Sequence, residues 1–70
     1  MQRTPVNSSN LSSVGYDAQT ATLEVAFHNG GIYQYDGVPA STYAGLMAAS
    51  SHGSYLAQYI KGRYRHRKVR

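Results

Sequence analysis

Thr22-Leu-Glu-Val-Ala-Phe-His28, Asn29-Gly30-Gly31 and Ile32-Tyr-Gln-Tyr35 follow one another without a break, and their reading decides the fold. Leu23, Val25 and Phe27 alternate with Thr22, Glu24, Ala26 and His28, the period-two pattern of a half-buried strand. Asn-Gly-Gly is the strongest turn signal in the chain. The stretch is therefore a β-hairpin whose loop length decides which face carries the tyrosines, because a one-residue slip reverses every side chain. A two-residue loop sets Ile32 opposite Phe27 and Gln34 opposite Val25. That buries an amide, at about 1–3 kcal/mol if unpaired, and leaves two rings in water. A three-residue loop with a left-handed glycine sets Tyr33 opposite Phe27 and Tyr35 opposite Val25, burying both rings. The three-residue loop is preferred.

Upstream, Leu11 to Tyr16 is a shorter strand with Val14 and Tyr16 on one parity, and Asp17-Ala-Gln-Thr20 supplies a polar turn. Residues 1–9 are polar and interrupted by Pro5, a flexible lead-in. Downstream the period changes. Pro39 suits the first turn of a helix, and Tyr43, Leu46 and Met47 recur at i, i+3 and i+4. Ser51 is an N-cap for a second helix, with Tyr55, Leu56, Tyr59 and Ile60 in one apolar arc. The expected strands are 11–16, 22–28 and 32–36 and the expected helices 39–49 and 52–61. This is an α+β fold: a three-stranded antiparallel meander followed by two short helices on one face, spanning residues 10–62, with a flexible basic tail at 63–70.

The charge is segregated. Six of the seven Lys and Arg lie in residues 61–70, while residues 1–60 hold Arg3 against Asp17, Glu24 and Asp36. A body near −2 thus joins a segment of +6, giving the net +4. Such an Arg-rich run with embedded aromatics is suited to an anionic partner, most commonly nucleic acid. With 70 residues and no Cys, the chain has room for one small core and no disulfide or thiolate metal site. No apolar run approaches the ~20 residues of a membrane span, and no export signal is evident. The expectation is a cytoplasmic monomer.

An ordered set of motifs resembles the KTSC domain family, named for its occurrence at the C-terminus of some lysyl-tRNA synthetases. It runs through Ser13-Val-Gly-Tyr-Asp17, Leu23-x-Val-x-Phe27, Gly31-x-Tyr33-x-Tyr35, Val38-Pro39, Tyr43, Leu46-Met47, Ala49-x-Ser51-x-Gly53-x-Tyr55 and Ile60-x-Gly62-x-Tyr64. Ala57 stands where the family pattern leads one to expect a polar residue. The synthetase context of the resemblance implies RNA as the partner.

The nucleic-acid-binding candidates are Lys61, Arg63, Tyr64, Arg65, Arg67, Lys68 and Arg70, which combine phosphate attraction with stacking surface. Their alternating spacing is equally compatible with an edge strand and with a solvated terminus. Ser51, His52, Gly53 and Ser54 form a phosphate-binding candidate at the second helix start, where free N–H groups point outward; capping alone is the commoner meaning of such a segment. Tyr33 and Tyr35 offer stacking surface or core packing, and the preferred register favours packing. His28, His52 and His66 lie in different elements, and no paired carboxylates stand at ligand spacing; a Ser-His-Asp set drawn from Ser51, His52 and Asp36 fails because adjacent Ser and His rarely place base on nucleophile and no oxyanion architecture accompanies them. The chain reads as non-catalytic and without a cofactor: an RNA-binding module or, alternatively, a protein-interaction domain that presents a sheet edge or helix face.

Overall fold

The computed structural model describes residues 1–70. Its elements are β1 (Thr4–Pro5), β2 (Leu11–Asp17), β3 (Thr22–Phe27), β4 (Ile32–Tyr35), α1 (Ala40–Ala48), α2 (His52–Tyr55), a π-helical turn over Leu56–Ile60 that continues α2, and β5 (His66–Lys68). The strands form one sheet in the order β1-β2-β3-β4-β5, every neighbouring pair antiparallel. The α+β class and the three central strands match the expectation, but the sheet has five strands rather than three. The two extra strands come from the segments assigned to a lead-in and a tail. Thr4 and Pro5 pair with Val14 and Ser13. His66, Arg67 and Lys68 pair with Tyr35, Gln34 and Tyr33.

The hairpin loop has three residues, as expected, but lies one position earlier than the register assumed. Gly30 N–H donates to Phe27 O and Phe27 N–H to Gly31 O, both at 2.9 Å. The left-handed position is therefore Gly30 (φ 95°), not Gly31, as in a type I turn closed by a bulge glycine. Tyr33 consequently sits opposite Val25 and Tyr35 opposite Leu23. A shift of two residues preserves the parity, so both tyrosines stay on the face of Val25 and Phe27.

That face carries the core. Leu11, Val14, Leu23, Val25 and Tyr35 meet Val38, Leu46, Leu56 and Ile60, none more than 2% exposed. A bulge between Leu11 and Ser13 places Leu11 on the same face as Val14 despite the odd spacing. Tyr16 stacks on Tyr43 at 4.7 Å between centroids, and its hydroxyl donates to Val38 O at 2.6 Å, tying β2 to the approach to α1. Asp17 Oδ1 accepts from Gln19 N–H at 3.0 Å, closing the expected polar turn.

On α1 the expected residues face inward: Leu46 is buried and Tyr43 and Met47 pack against the core. Pro39 lies just outside the helix, where its carbonyl accepts from Thr42 and Tyr43. Tyr55 packs directly over Gly45, whose Cα leaves no room for a methyl group. In the second helical segment the expected arc is only partly realised. Leu56 and Ile60 are buried, whereas Tyr59 is 44% exposed. Lys61 N–H bonds to Leu56 O at 2.8 Å, an i→i+5 closure. Such a turn holds more residues than an α turn, so Ile60 returns to the face of Leu56 while Tyr59 falls short of it.

Candidate nucleic-acid interface

The sheet face away from the helices carries a polar ladder that reaches both edges. Arg3 donates from Nη1 to Glu24 Oε2 at 2.6 Å and from Nε to Ser13 Oγ at 3.1 Å. Gln34 Nε2 donates to Glu24 Oε1 at 2.8 Å. Arg67 Nη2 donates to Gln34 Oε1 at 2.6 Å and Nη1 to both oxygens of Asp36 at 2.7 Å. The ladder explains why Glu24, on the face opposite Leu23, Val25 and Phe27, is buried. It also engages Arg67, whose Nη1 and Nη2 both make bonds within the sheet.

The Glu24 carboxyl is pulled two ways. Burial raises its pKa, but the hydrogen bonds from Gln34 and Arg3 and the Arg3 charge outweigh that, leaving it below the ordinary 4.5. A depressed carboxylate stabilises the fold above its unfolded pKa, and that contribution is lost as pH falls through the folded value. Thermal melts from neutral pH into acid should show stability level down to about pH 4.5 and falling below it. Glu24→Gln, less stable at neutral pH, should lose this part of the acid dependence.

With Arg3 and Arg67 matched to Glu24 and Asp36, five Lys and Arg remain uncompensated: Lys61, Arg63, Arg65, Lys68 and Arg70. The only other side-chain acid is Asp17. All five cations are exposed. Lys68 lies across from Tyr33 and His66 across from Tyr35, so both share the helix-side face. The main chain of Arg70 exchanges hydrogen bonds with Ile32, and Arg65 O accepts from Asp36 N–H at 2.8 Å. Tyr64 is half-buried and packs against the core, which withdraws much of its ring from any stacking role.

Where β4, β5 and the end of the π turn meet, a groove of about 380 Å³ opens. Phe27, Tyr33, Tyr35 and His66 give it an aromatic lining, and Lys61, Gly62, Asn10 and Asn29 complete its walls. Tyr33 meets Phe27 edge-on at 5.6 Å, and His66 lies 6.2 Å from Tyr33 and 5.7 Å from Tyr35. Lys61 Nζ sits 5.8 Å from the Phe27 centroid, within cation–π range. Burial lifts the Tyr35 hydroxyl above its ordinary 10.0, with repulsion from Tyr33 adding, so it stays protonated at neutral pH. The two tyrosines of the Tyr-x-Tyr motif differ in burial. Tyr35 is a core residue at 2% exposure, while the half-buried Tyr33 belongs to both core and groove.

The helix-start candidates make bonds within the fold. Ser51 Oγ accepts from Ser54 N–H at 3.3 Å, the expected cap. His52 Nδ1 bonds to Leu46 O at 2.8 Å, and Gly53 packs beside Asn10 and Leu11. These internal bonds account for Ser51, His52 and Ser54, and neither they nor Gly53 line the groove. Among the other histidines, His28 Nε2 is 2.7 Å from Ser8 O. No group of His, Asp and Glu is arranged to hold a metal ion, and no helix is long and apolar enough to cross a membrane.

The sequence reading placed His66 among the stacking residues of the basic segment, but missed Phe27, Asn10 and Asn29 as groove residues. Parity pointed to Phe27, on the tyrosine face beside the turn. Nothing local marked the others, which converge only because β5 returns to the sheet.

A five-stranded antiparallel meander backed by two short helical segments, with an aromatic groove beside its last strand, defines a small α+β domain with no catalytic family indicated. The chain belongs to the KTSC domain family, whose model matches residues 7–64. The crystal structure of a KTSC domain protein from Yersinia pestis superimposes with a TM-score of 0.96 at 42% identity, covering 99% of this chain and 97% of that one. An uncharacterized protein of Stutzerimonas stutzeri is 39% identical over 61 residues, 87% of this chain and 86% of its own. A lysine–tRNA ligase of Nostoc punctiforme is 33% identical over 55 residues, 79% of this chain but 10% of that protein.

Proposed function

We propose that this protein is a non-catalytic RNA-binding module that holds single-stranded RNA through the cationic segment Lys61–Arg70. The observation that carries the reading is the charge balance after internal pairing: every uncompensated Lys and Arg lies in ten consecutive residues. Phosphate neutralisation by such a patch supplies sequence-independent affinity by releasing counterions. The likeness to part of a lysine–tRNA ligase supports RNA as the nucleic acid. The alternative, a protein partner adding a strand to the β5 edge, is less well supported, because His66, Arg67 and Lys68 make that edge cationic, and charged edges resist strand addition.

Titration of labelled single-stranded RNA at two salt concentrations tests the reading. Five phosphate contacts at about 0.7 each give a slope of log K against log salt near −3.5. A flat slope, or no binding at low salt, overturns it.

A further inference from the structure

We infer that the groove between β4, β5 and the π turn accepts one unstacked nucleobase of the bound strand. The inference rests on the RNA reading and adds to it the part of the nucleotide that the fold itself recognises. Three features converge on a base. The groove, at about 380 Å³, lies at the small end of ligand sites, which run from roughly 300 to 1,000 Å³, so it suits a single ring system rather than a folded-back dinucleotide. Its lining is aromatic, and bases splayed from a single strand stack on such rings whatever their identity. Its rim is polar and cationic.

Tyr33 and His66 supply the stacking surface, since Tyr35 is covered by the core. The Asn29 side-chain oxygen accepts from Gly31 N–H at 2.9 Å, which fixes the amide and leaves its NH₂ group as donor. The Asn10 carboxamide makes no internal hydrogen bond, so both its donor and its acceptor are free for a base edge. Lys61 has no acidic partner and rests against Phe27 at 5.8 Å. Entry of a base exchanges that cation–π contact for a phosphate contact at the groove mouth. Gly62, beside it, adopts φ 79°, the left-handed turn that carries the chain from the π segment toward β5 and keeps this wall free of a side chain.

Affinity for a short single-stranded oligoribonucleotide is to be compared with affinity for the same backbone carrying abasic sites, for the wild-type chain and two variants. Wild type should prefer the base-bearing strand by about 5- to 150-fold, the range for one stacked base. Tyr33→Leu keeps an apolar side chain under the helices but removes the ring, and should bind both strands at the abasic level. Arg65→Ser, a phosphate contact outside the groove, should weaken both strands alike and preserve the ratio. Aromatic NMR signals of Tyr33 and His66 should shift with the base-bearing strand and not with the abasic one.

Equal wild-type affinity for the two strands, with the salt slope intact, overturns the groove assignment and leaves phosphate-led binding standing. Binding of neither strand overturns both. A preference for the base-bearing strand that survives in Tyr33→Leu also overturns the groove assignment. Circular dichroism of Tyr33→Leu separates loss of the ring from loss of the fold, and His66→Ala, at an exposed position, must lower the same ratio if Tyr33→Leu unfolds.

Discussion

Replacing Arg63, Arg65, Lys68 and Arg70 with Ser lowers affinity for single-stranded RNA about a hundredfold near physiological salt and barely moves the melting temperature. The size follows from counterion release. Four lost contacts at about 0.7 each, at about 0.15 M salt, amount to roughly two decades, and the salt slope should flatten from about −3.5 to about −0.7. The stability half of the prediction rests on exposure, since unpaired surface charges add little to folding and the main-chain bonds of this segment remain in place. Arg67 is deliberately left intact. Its guanidinium binds Asp36 and Gln34, so removing it would mix a folding defect into a binding measurement. Fluorescence anisotropy for affinity and calorimetry for melting decide the matter; unchanged affinity moves the RNA contact onto the remainder of the domain.

Tyr35→Ala is expected to cost about 3–5 kcal/mol, the range for truncating a large buried ring. Total stability for a domain is only about 5–15 kcal/mol, so the variant should melt at least about 12 °C lower or fail to fold. The ring is 2% exposed and sits opposite Leu23 in the sheet. Tyr35→Phe, which keeps the ring, should stay close to wild type. Denaturant unfolding of both variants tests the pair, and equal stability of Tyr35→Ala and wild type would remove Tyr35 from the core.

The central meander, the helix positions and the Ser51 cap were legible because each has a local cause: alternation in Thr22–Phe27, helical spacing of Tyr43, Leu46 and Met47, and a hydroxyl before a turn of helix. The loop length was legible too, but Asn29-Gly30-Gly31 offers two glycines for one left-handed position, and only the folded hairpin shows that Gly30 takes it. The outer strands left no comparable mark. Thr4–Pro5 is two exposed residues including a proline, and His66–Lys68 is exposed throughout, so neither carries an apolar alternation. Backbone pairing and the Arg3–Glu24 and Arg67–Asp36 links hold them, and these partners lie 21 and 31 residues apart. The π turn was hidden for the same reason: its i→i+5 closure serves tertiary packing of Leu56 and Ile60. Without β5 there is no groove wall, so the cations and the Tyr-x-Tyr motif were readable while the groove beside them was not.

The position of β5 also orders the events of folding. β2, β3 and β4 are joined by short turns and can zip locally, whereas Tyr33 must find Lys68 across both helical segments. Closing that long loop costs entropy that the hairpins do not incur, so β5 is expected to dock after them. The cations attributed to RNA binding ride on and beside this late-docking strand. An anionic strand that gripped them would favour the docked state by mass action, linking occupancy of the surface to completion of the sheet.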